Sequence, residues 1–316
     1  MIIGVSVVRN ESDIIEAMLR QNLFYLDRLI VIDNGSIDET PNIVSRLQAE
    51  GLSCELHADT RRNHQQHHIL TEFIRETRKK YDAKRIIFLD ADEFLCGDRH
   101  VFTDEMNPSH GVLHIPWKTY VPSPDDDPLA LSVLSRIKHR REFESPQFSK
   151  VTLPCNLDGN IEVGRGSHSI RHDGQKVVGR EAESVCIGHF PVRTPQQLLG
   201  KILLGSWNVR MRKHSMGEAN HWMDLSREFQ SHPDLDNERF YEIAAGYASD
   251  QKSALVLDPI EIQFDESLIE IRNLEDVLLR DIVQFTEHLV AQHGYEQTTR
   301  QKIGAWIKQN ILRHFG

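Results

Sequence analysis

Residues 86–94 read Ile-Ile-Phe-Leu-Asp-Ala-Asp-Glu-Phe, an apolar run of strand length that passes without a spacer into three carboxylates. A run with no polar alternation reads as a buried core strand, and this one ends directly in clustered acids. Upstream, apolar runs at 2–8, 28–33, 53–57 and 85–90 alternate with helical periodicity, carried by Ile14, Ile15, Met18 and Leu19 and then by Ile43, Val44 and Leu47. Thr40-Pro41 opens the second helix, and a third is expected over 65–81. That alternation predicts a parallel sheet flanked by helices, and ligands of such sheets bind beyond the carboxyl ends of the strands. Each expected strand end is polar: Arg9-Asn10-Glu11, Asp33-Asn34-Gly35-Ser36, residues 59–63, and Asp90-Ala91-Asp92-Glu93.

The acid cluster fits a hard divalent cation such as Mn²⁺ or Mg²⁺, which takes carboxylate and phosphate oxygens and would neutralise a leaving diphosphate. Asp90 as a cap with Asp92 and Glu93 solvated is the plainer alternative; the apolar strand and its end placement favour the cation. At the second strand end, Asp33 can accept from ribose hydroxyls or a base N–H, and Gly35 allows close backbone approach. Alone, that segment better fits an ordinary strand-to-helix turn capped by Asp38 or Thr40. Its pairing with the acid cluster favours a nucleoside.

Three stretches together, Val7-Val8-Arg9-Asn10-Glu11, Val31-Ile32-Asp33-Asn34-Gly35-Ser36-Ile37-Asp38 and Phe88-Leu89-Asp90-Ala91-Asp92-Glu93-Phe94, resemble family 2 glycosyltransferases, in the bacterial branch whose signature includes a strand ending in Asp-Ala-Asp-Glu-Phe. The resemblance implies an α/β fold of the GT-A (Rossmann-like) nucleotide-diphospho-sugar transferase type, here with a helical C-terminal annex. It implies a nucleotide site built from Val8, Arg9, Asn10, Glu11, Asp33, Asn34, Gly35 and Asp90, with Asp90 and Asp92 bracketing ribose, diphosphate and Mn²⁺ or Mg²⁺. It continues more weakly through Gly166-Ser167-His168-Ser169 and Gly188-His189-Phe190-Pro191-Val192-Arg193, then Gln197 and Lys201. His189 and, with less support, His168 are candidate further metal ligands. Arg193 and Lys201 could pair with diphosphate oxygens, and Arg62 could reach a phosphate from the third strand end.

The expected reaction moves a sugar from a nucleotide-diphospho-sugar to an acceptor hydroxyl on a saccharide or glycolipid. By resemblance it inverts the anomeric centre and serves surface polysaccharide synthesis. Such a transfer needs a carboxylate base; Glu93 is the first candidate, ahead of Asp125, Asp126, Asp127 and Glu142. A sugar-phosphate nucleotidyltransferase fits less well, because Val8-Arg9-Asn10-Glu11 stands where a Gly-rich phosphate loop would be. A non-catalytic nucleotide- or sugar-binding protein of the same fold is the other alternative.

The remaining features bound the setting. A net charge of -10 over 316 residues excludes a broad nucleic-acid-binding face. No apolar stretch is long enough for a transmembrane segment and the start lacks a signal-peptide pattern, so a cytoplasmic location is expected. Cys54, Cys96, Cys155 and Cys186 lack C-x-x-C spacing and read as small buried hydrophobes. The expected organisation is a catalytic domain over 1–193, with its nucleotide-sugar part at 1–95 and a mixed acceptor and metal part at 96–193. A helical region follows over 194–316, whose last helix carries Ile303, Trp306, Ile307, Ile311 and Phe315; this stripe fits packing on its own domain or on a second copy in a homo-oligomer better than rest on a membrane surface.

Overall fold

The computed structural model describes residues 1–59, 61, 66–211, 224–227 and 236–270. The helices expected at 274–292 and 296–315, and the oligomer contact assigned to them, lie outside the described residues. In chain order the elements are β1 (Ile2–Val8), α1 (Ile15–Asn22), β2 (Arg28–Asp33), α2 (Thr40–Ala49), β3 (Cys54–Ala58), α3 (Gln66–Lys80), β4 (Arg85–Phe88), β5 (Glu93–Cys96) and α4 (Arg99–Glu105). There follow β6 (Leu113–Thr119), α5 (Val133–Arg136), β7 (His139–Arg141), β8 (Ser149–Pro154), β9 (Ile161–Val163), β10 (Ile170–His172), β11 (Gln175–Lys176), β12 (Arg180–Glu181), β13 (Cys186–His189), α6 (Pro195–Met211), α7 (Asn237–Gly246) and β14 (Leu255–Leu257).

The central sheet runs β3-β2-β1-β4-β8-β6-β13-β5, with β12 beside β6. Its first four strands are parallel, and the register sets Val8 opposite Asp33 and Asp33 opposite Ala58. Three strand ends are thus brought level at one edge. The strands alternate between two cores: Leu29 and Val31 pack with Ile15, Met18, Val44 and Leu47 from α1 and α2, while Ile3, Val5, Ile30 and Ile32 pack with Ile69, Leu70 and Ile74 from α3. This burial on both faces is why their sequences are continuously apolar.

Beyond β4 the sheet turns antiparallel through β8 and β6. The strand expected over 85–90 stops at Phe88, and the chain leaves the sheet at the acid cluster. It returns as β5, which pairs antiparallel with β13 so that Glu93 faces His189. A strand exit here has a local cause, because the Glu93 side chain accepts the Asp90 N–H at 2.9 Å and closes the turn. The described residues of 194–270 fall in the same compact unit as those of 1–193. Within that stretch β14 pairs with β7, an extended segment in a region whose periodicity suggests helices.

Candidate active site

The loops after β1 and β2 are bonded to each other by side chains rather than by sheet. Asn10, at φ 56°, sits in the left-handed region that asparagine tolerates. Its N–H donates to Ser36 Oγ at 2.9 Å, and its Oδ1 accepts from the Ile37 N–H at 2.9 Å. The Glu11 N–H donates to Thr40 Oγ1 at 2.9 Å and the Ser12 N–H to Asp38 Oδ2 at 3.0 Å. Asp33, 9% exposed, accepts the Gly35 and Ser36 N–H groups at 3.2 Å; Gly35 at φ 78° makes that turn possible. The Asn34 N–H donates to the Val8 carbonyl at 2.9 Å, and its side chain donates to the Asp59 carbonyl at 2.8 Å. The predicted residues Val8, Asn10, Glu11, Asp33, Asn34 and Gly35 thus share one edge, to which Arg9 belongs by its place in the first loop. Arg62 lies outside the described residues.

The acid cluster divides into two environments. Asp90, about a third exposed, accepts from Lys150 Nζ at 2.6 Å and from Gln66 Nε2 at 2.6 Å. Glu93 is wholly buried, with Oε1 3.3 Å from the same Lys150 ammonium. Burial pushes its carboxyl up to about 8 against the opposing pull of Lys150. A role for this enclosed side chain as base on an acceptor requires the turn to open. Because the folded-state value lies above the unfolded one near 4.5, Glu93 contributes stability that is complete at low pH and is lost as pH rises toward 8. Glu93→Gln should flatten the decline of Tm between pH 5 and 8.5; parallel curves for variant and wild type would remove Glu93 as its cause.

Asp92, 6% exposed, faces cations. Lys201 Nζ, on α6, donates to Oδ2 at 2.9 Å and to the Pro191 carbonyl at 2.9 Å, and Arg193 Nη1 lies 3.8 Å from the same oxygen. Against the cost of burial, Lys201 above all, with His189 and Arg193, holds this carboxyl well below the usual carboxylate range. Arg193 is itself pinned: Nε donates to Asp13 Oδ2 at 2.6 Å and Nη2 to Glu11 Oε2 at 2.8 Å. It joins the β1 loop to the segment after β13. Burial lifts the Glu11 carboxyl to about 7, with Arg193 and Lys201 opposing.

His189 Nε2 stands 3.9 Å from Asp92 Oδ1, and its ring stacks on Trp117 at 4.4 Å. Burial lowers His189 to about 4, so the imidazole is neutral at pH 7 and can offer a lone pair. Two donors each about 2.1 Å from one ion stand roughly 3 to 4 Å apart, so Asp92 and His189 fit a divalent ion that takes its other oxygens from substrate and water. Among the described residues no group of three or more His, Cys, Asp or Glu could hold a metal unaided. Asp90 is engaged by Lys150 and Gln66. His168, whose Nδ1 donates to the Ser149 carbonyl at 2.7 Å, packs against Phe148 and the edge of Trp117.

Several residues of this cluster carry no motif. Lys150, 0% exposed, holds Asp90 and Glu93 from β8; a lysine inside the apolar run Ser-Lys-Val-Thr-Leu-Pro was its one visible sign. Asp13, Gln66, Trp117 and Tyr247, whose ring lies 6.1 Å from that of His189, are brought in by tertiary contact alone. Asp126 and Asp127 accept backbone N–H groups of their own loop, from Ser123 and Leu129.

Residues 5–99 match the family model described as glycosyl transferase family 2. No curated protein matches the chain in sequence. Among solved structures, the chain resembles S. aureus TarS (residues 1–349, in complex with UDP) at 14% identity and a TM-score of 0.36, over 75% of this chain and 76% of the other. It resembles a mannosyltransferase from Pyrobaculum calidifontis, in complex with GDP-Man and Mn²⁺, at 16% identity and a TM-score of 0.38, over 78% and 73%. Glucosyl-3-phosphoglycerate synthase from Mycobacterium tuberculosis, in complex with Mn²⁺, UDP and glucosyl-3-phosphoglycerate, matches at 15% identity and a TM-score of 0.28, over 50% and 57%. The part of the chain that is similar to glycosyl transferase family 2 is thus residues 5–99, from within β1 through β5, with the strand-end loops described above.

Proposed function

We propose that the chain moves a sugar from a nucleotide-diphospho-sugar to a saccharide or glycolipid hydroxyl with inversion, using Mn²⁺ or Mg²⁺, in cytoplasmic assembly of surface polysaccharide. The observation that carries this reading is the placement of Asp92 and His189 within 3.9 Å of each other beside the level strand ends. In this reading the Asp33 turn receives the nucleoside, flanked by Val8, Arg9, Asn10, Glu11, Asn34 and Gly35, while Asp90 meets the ribose. Asp92 and His189 hold the ion, with His168 behind Trp117; when bound, the ion supplies Lewis-acid stabilisation of the departing diphosphate. Lys201 has three N–H donors and its bonds to Asp92 and Pro191 use two, so one remains for a phosphate oxygen. Arg193 donates to Glu11, Asp13 and the Phe190 carbonyl and pins the loop that shapes the site.

No helix among the described residues is long and apolar enough to cross a membrane. The catalytic body is proposed over 1–193, with a nucleotide-sugar part at 1–95 and a mixed acceptor and metal part at 96–193. A thermal-shift panel of UDP, GDP, CMP, dTDP and ADP, each with Mn²⁺, Mg²⁺ or chelator, tests the donor site, because a ligand of the folded state alone raises Tm. One nucleotide should raise Tm by several degrees only when metal is present. Stabilisation unaffected by chelator would refute the metal, and no stabilisation by any of them would refute the nucleotide site.

A further inference from the structure

Cys96 and Cys186 stand far apart in sequence but directly opposite each other in the β5·β13 ladder, whose other end pairs Glu93 with His189. Both are free and only partly buried. Residues opposed across an antiparallel pair carry their side chains on one face with Cα atoms about 4.5 to 5.5 Å apart, inside the range of about 4.4 to 6.8 Å that a disulfide spans. The Cys96 thiol lies 3.3 Å from the Phe94 carbonyl and interacts with the Cys186 sulfur.

The surroundings of the pair are charged. Lys118 from β6 and Arg140 from β7 act on Cys186, while Asp258, just after β14, accepts from Arg140 Nε at 2.5 Å and Lys118 Nζ at 3.4 Å. Lys118 is 41% exposed, so solvent reaches this side of the ladder.

We infer that Cys96 and Cys186 form a thiol–disulfide site, at which Cys186 attacks small-molecule disulfides and Cys96 resolves the product. The Cys186 thiolate attacks one sulfur of the reagent disulfide, forming a mixed disulfide and expelling a thiolate. The Cys96 thiol gives its proton to water, and its sulfur attacks Cys186 Sγ, forming the Cys96–Cys186 bond and expelling the second thiolate. Two protein thiols are oxidised and the reagent is reduced to two thiols, so electrons balance.

The electrostatics agree with this division of labour. The contact with Cys96 above all, with Lys118 and Arg140, lowers Cys186 against burial and the Asp258 carboxylate. The same interaction, together with burial, pushes Cys96 up. Burial raises Cys54 to about 11 and also raises Cys155, which makes them internal references.

The test treats the full chain with oxidised glutathione at pH 7 and maps peptides without reduction. Wild type should lose two hydrogens, keep no adduct and yield a Cys96–Cys186 crosslink. Cys96→Ser should retain glutathione on Cys186, and in wild type Cys186 should alkylate with iodoacetamide roughly tenfold faster than Cys155. A wild-type mixed disulfide that never resolves, a crosslink through Cys54 or Cys155, or alkylation of Cys186 no faster than Cys155 would overturn the inference. The mapping and the rates use wild type alone, so a misfolded variant leaves the test intact.

Discussion

Asp92→Asn is expected to lower kcat/KM for sugar transfer by about 10³-fold, the loss of roughly 4 kcal/mol of transition-state stabilisation. The amide keeps the volume of the carboxylate and removes the charge that faces Lys201 and His189. An ion held by His189 and substrate oxygens alone is bound weakly, so the Tm rise produced by nucleotide with metal should vanish as well. The fold should survive, because the Lys201 side chain is 25% exposed and can turn its ammonium to water. A radiolabelled-donor assay, with the nucleotide chosen from the thermal-shift panel, measures the effect. Turnover within tenfold of wild type would remove Asp92 from the chemistry, whereas lost turnover with a collapsed Tm would make it structural.

Arg193→Met is the counterpart, a large loss of stability. The guanidinium is 2% exposed and bonds to Asp13 and Glu11, whose side chains are 13% and 17% exposed. Removing one partner of a buried pair costs about 3–5 kcal/mol, since the remaining charges keep their desolvation penalty. In a chain of this size that corresponds to a Tm lower by roughly 10 °C. The deficit should also depend on pH. Glu11 has a folded-state value raised to about 7, so its contribution is present at low pH and lost as pH rises. Without Arg193 that value climbs further and the protonated acid tolerates burial. The gap between variant and wild type should therefore be smaller at pH 5.5 than at pH 8 in urea unfolding. Equal gaps would mean that Glu11 does not titrate in this way, and a variant as stable as wild type would mean that the pairs carry no net stability.

The strand-end residues were legible because parallel strands buried on both faces are written as unbroken apolar runs, and each run stops where a polar loop begins. Val8, Asp33 and Asp92 could be named on that ground, with His189, Arg193 and Lys201 added by resemblance. The roles within the cluster were not legible. Nothing in the one-dimensional pattern shows that Arg193 is occupied by Asp13 and Glu11, or that Glu93 folds back to close the turn that carries Asp90. Hydrogen-bond geometry of this kind depends on atoms from elements distant in sequence.

By itself the sequence determined the α/β architecture, the positions of the first four strands and the polar chemistry at their ends, because hydrophobic periodicity reports burial and burial sets the layers. Only the tertiary structure decided which side chains meet. The antiparallel return of β5 against β13 set His189 against Glu93 and Cys96 against Cys186, and β8 delivered Lys150 between two acids. Register across a sheet is fixed by pairing between strands far apart in the chain. The same cysteines that read as isolated hydrophobes along the sequence are therefore neighbours in the molecule.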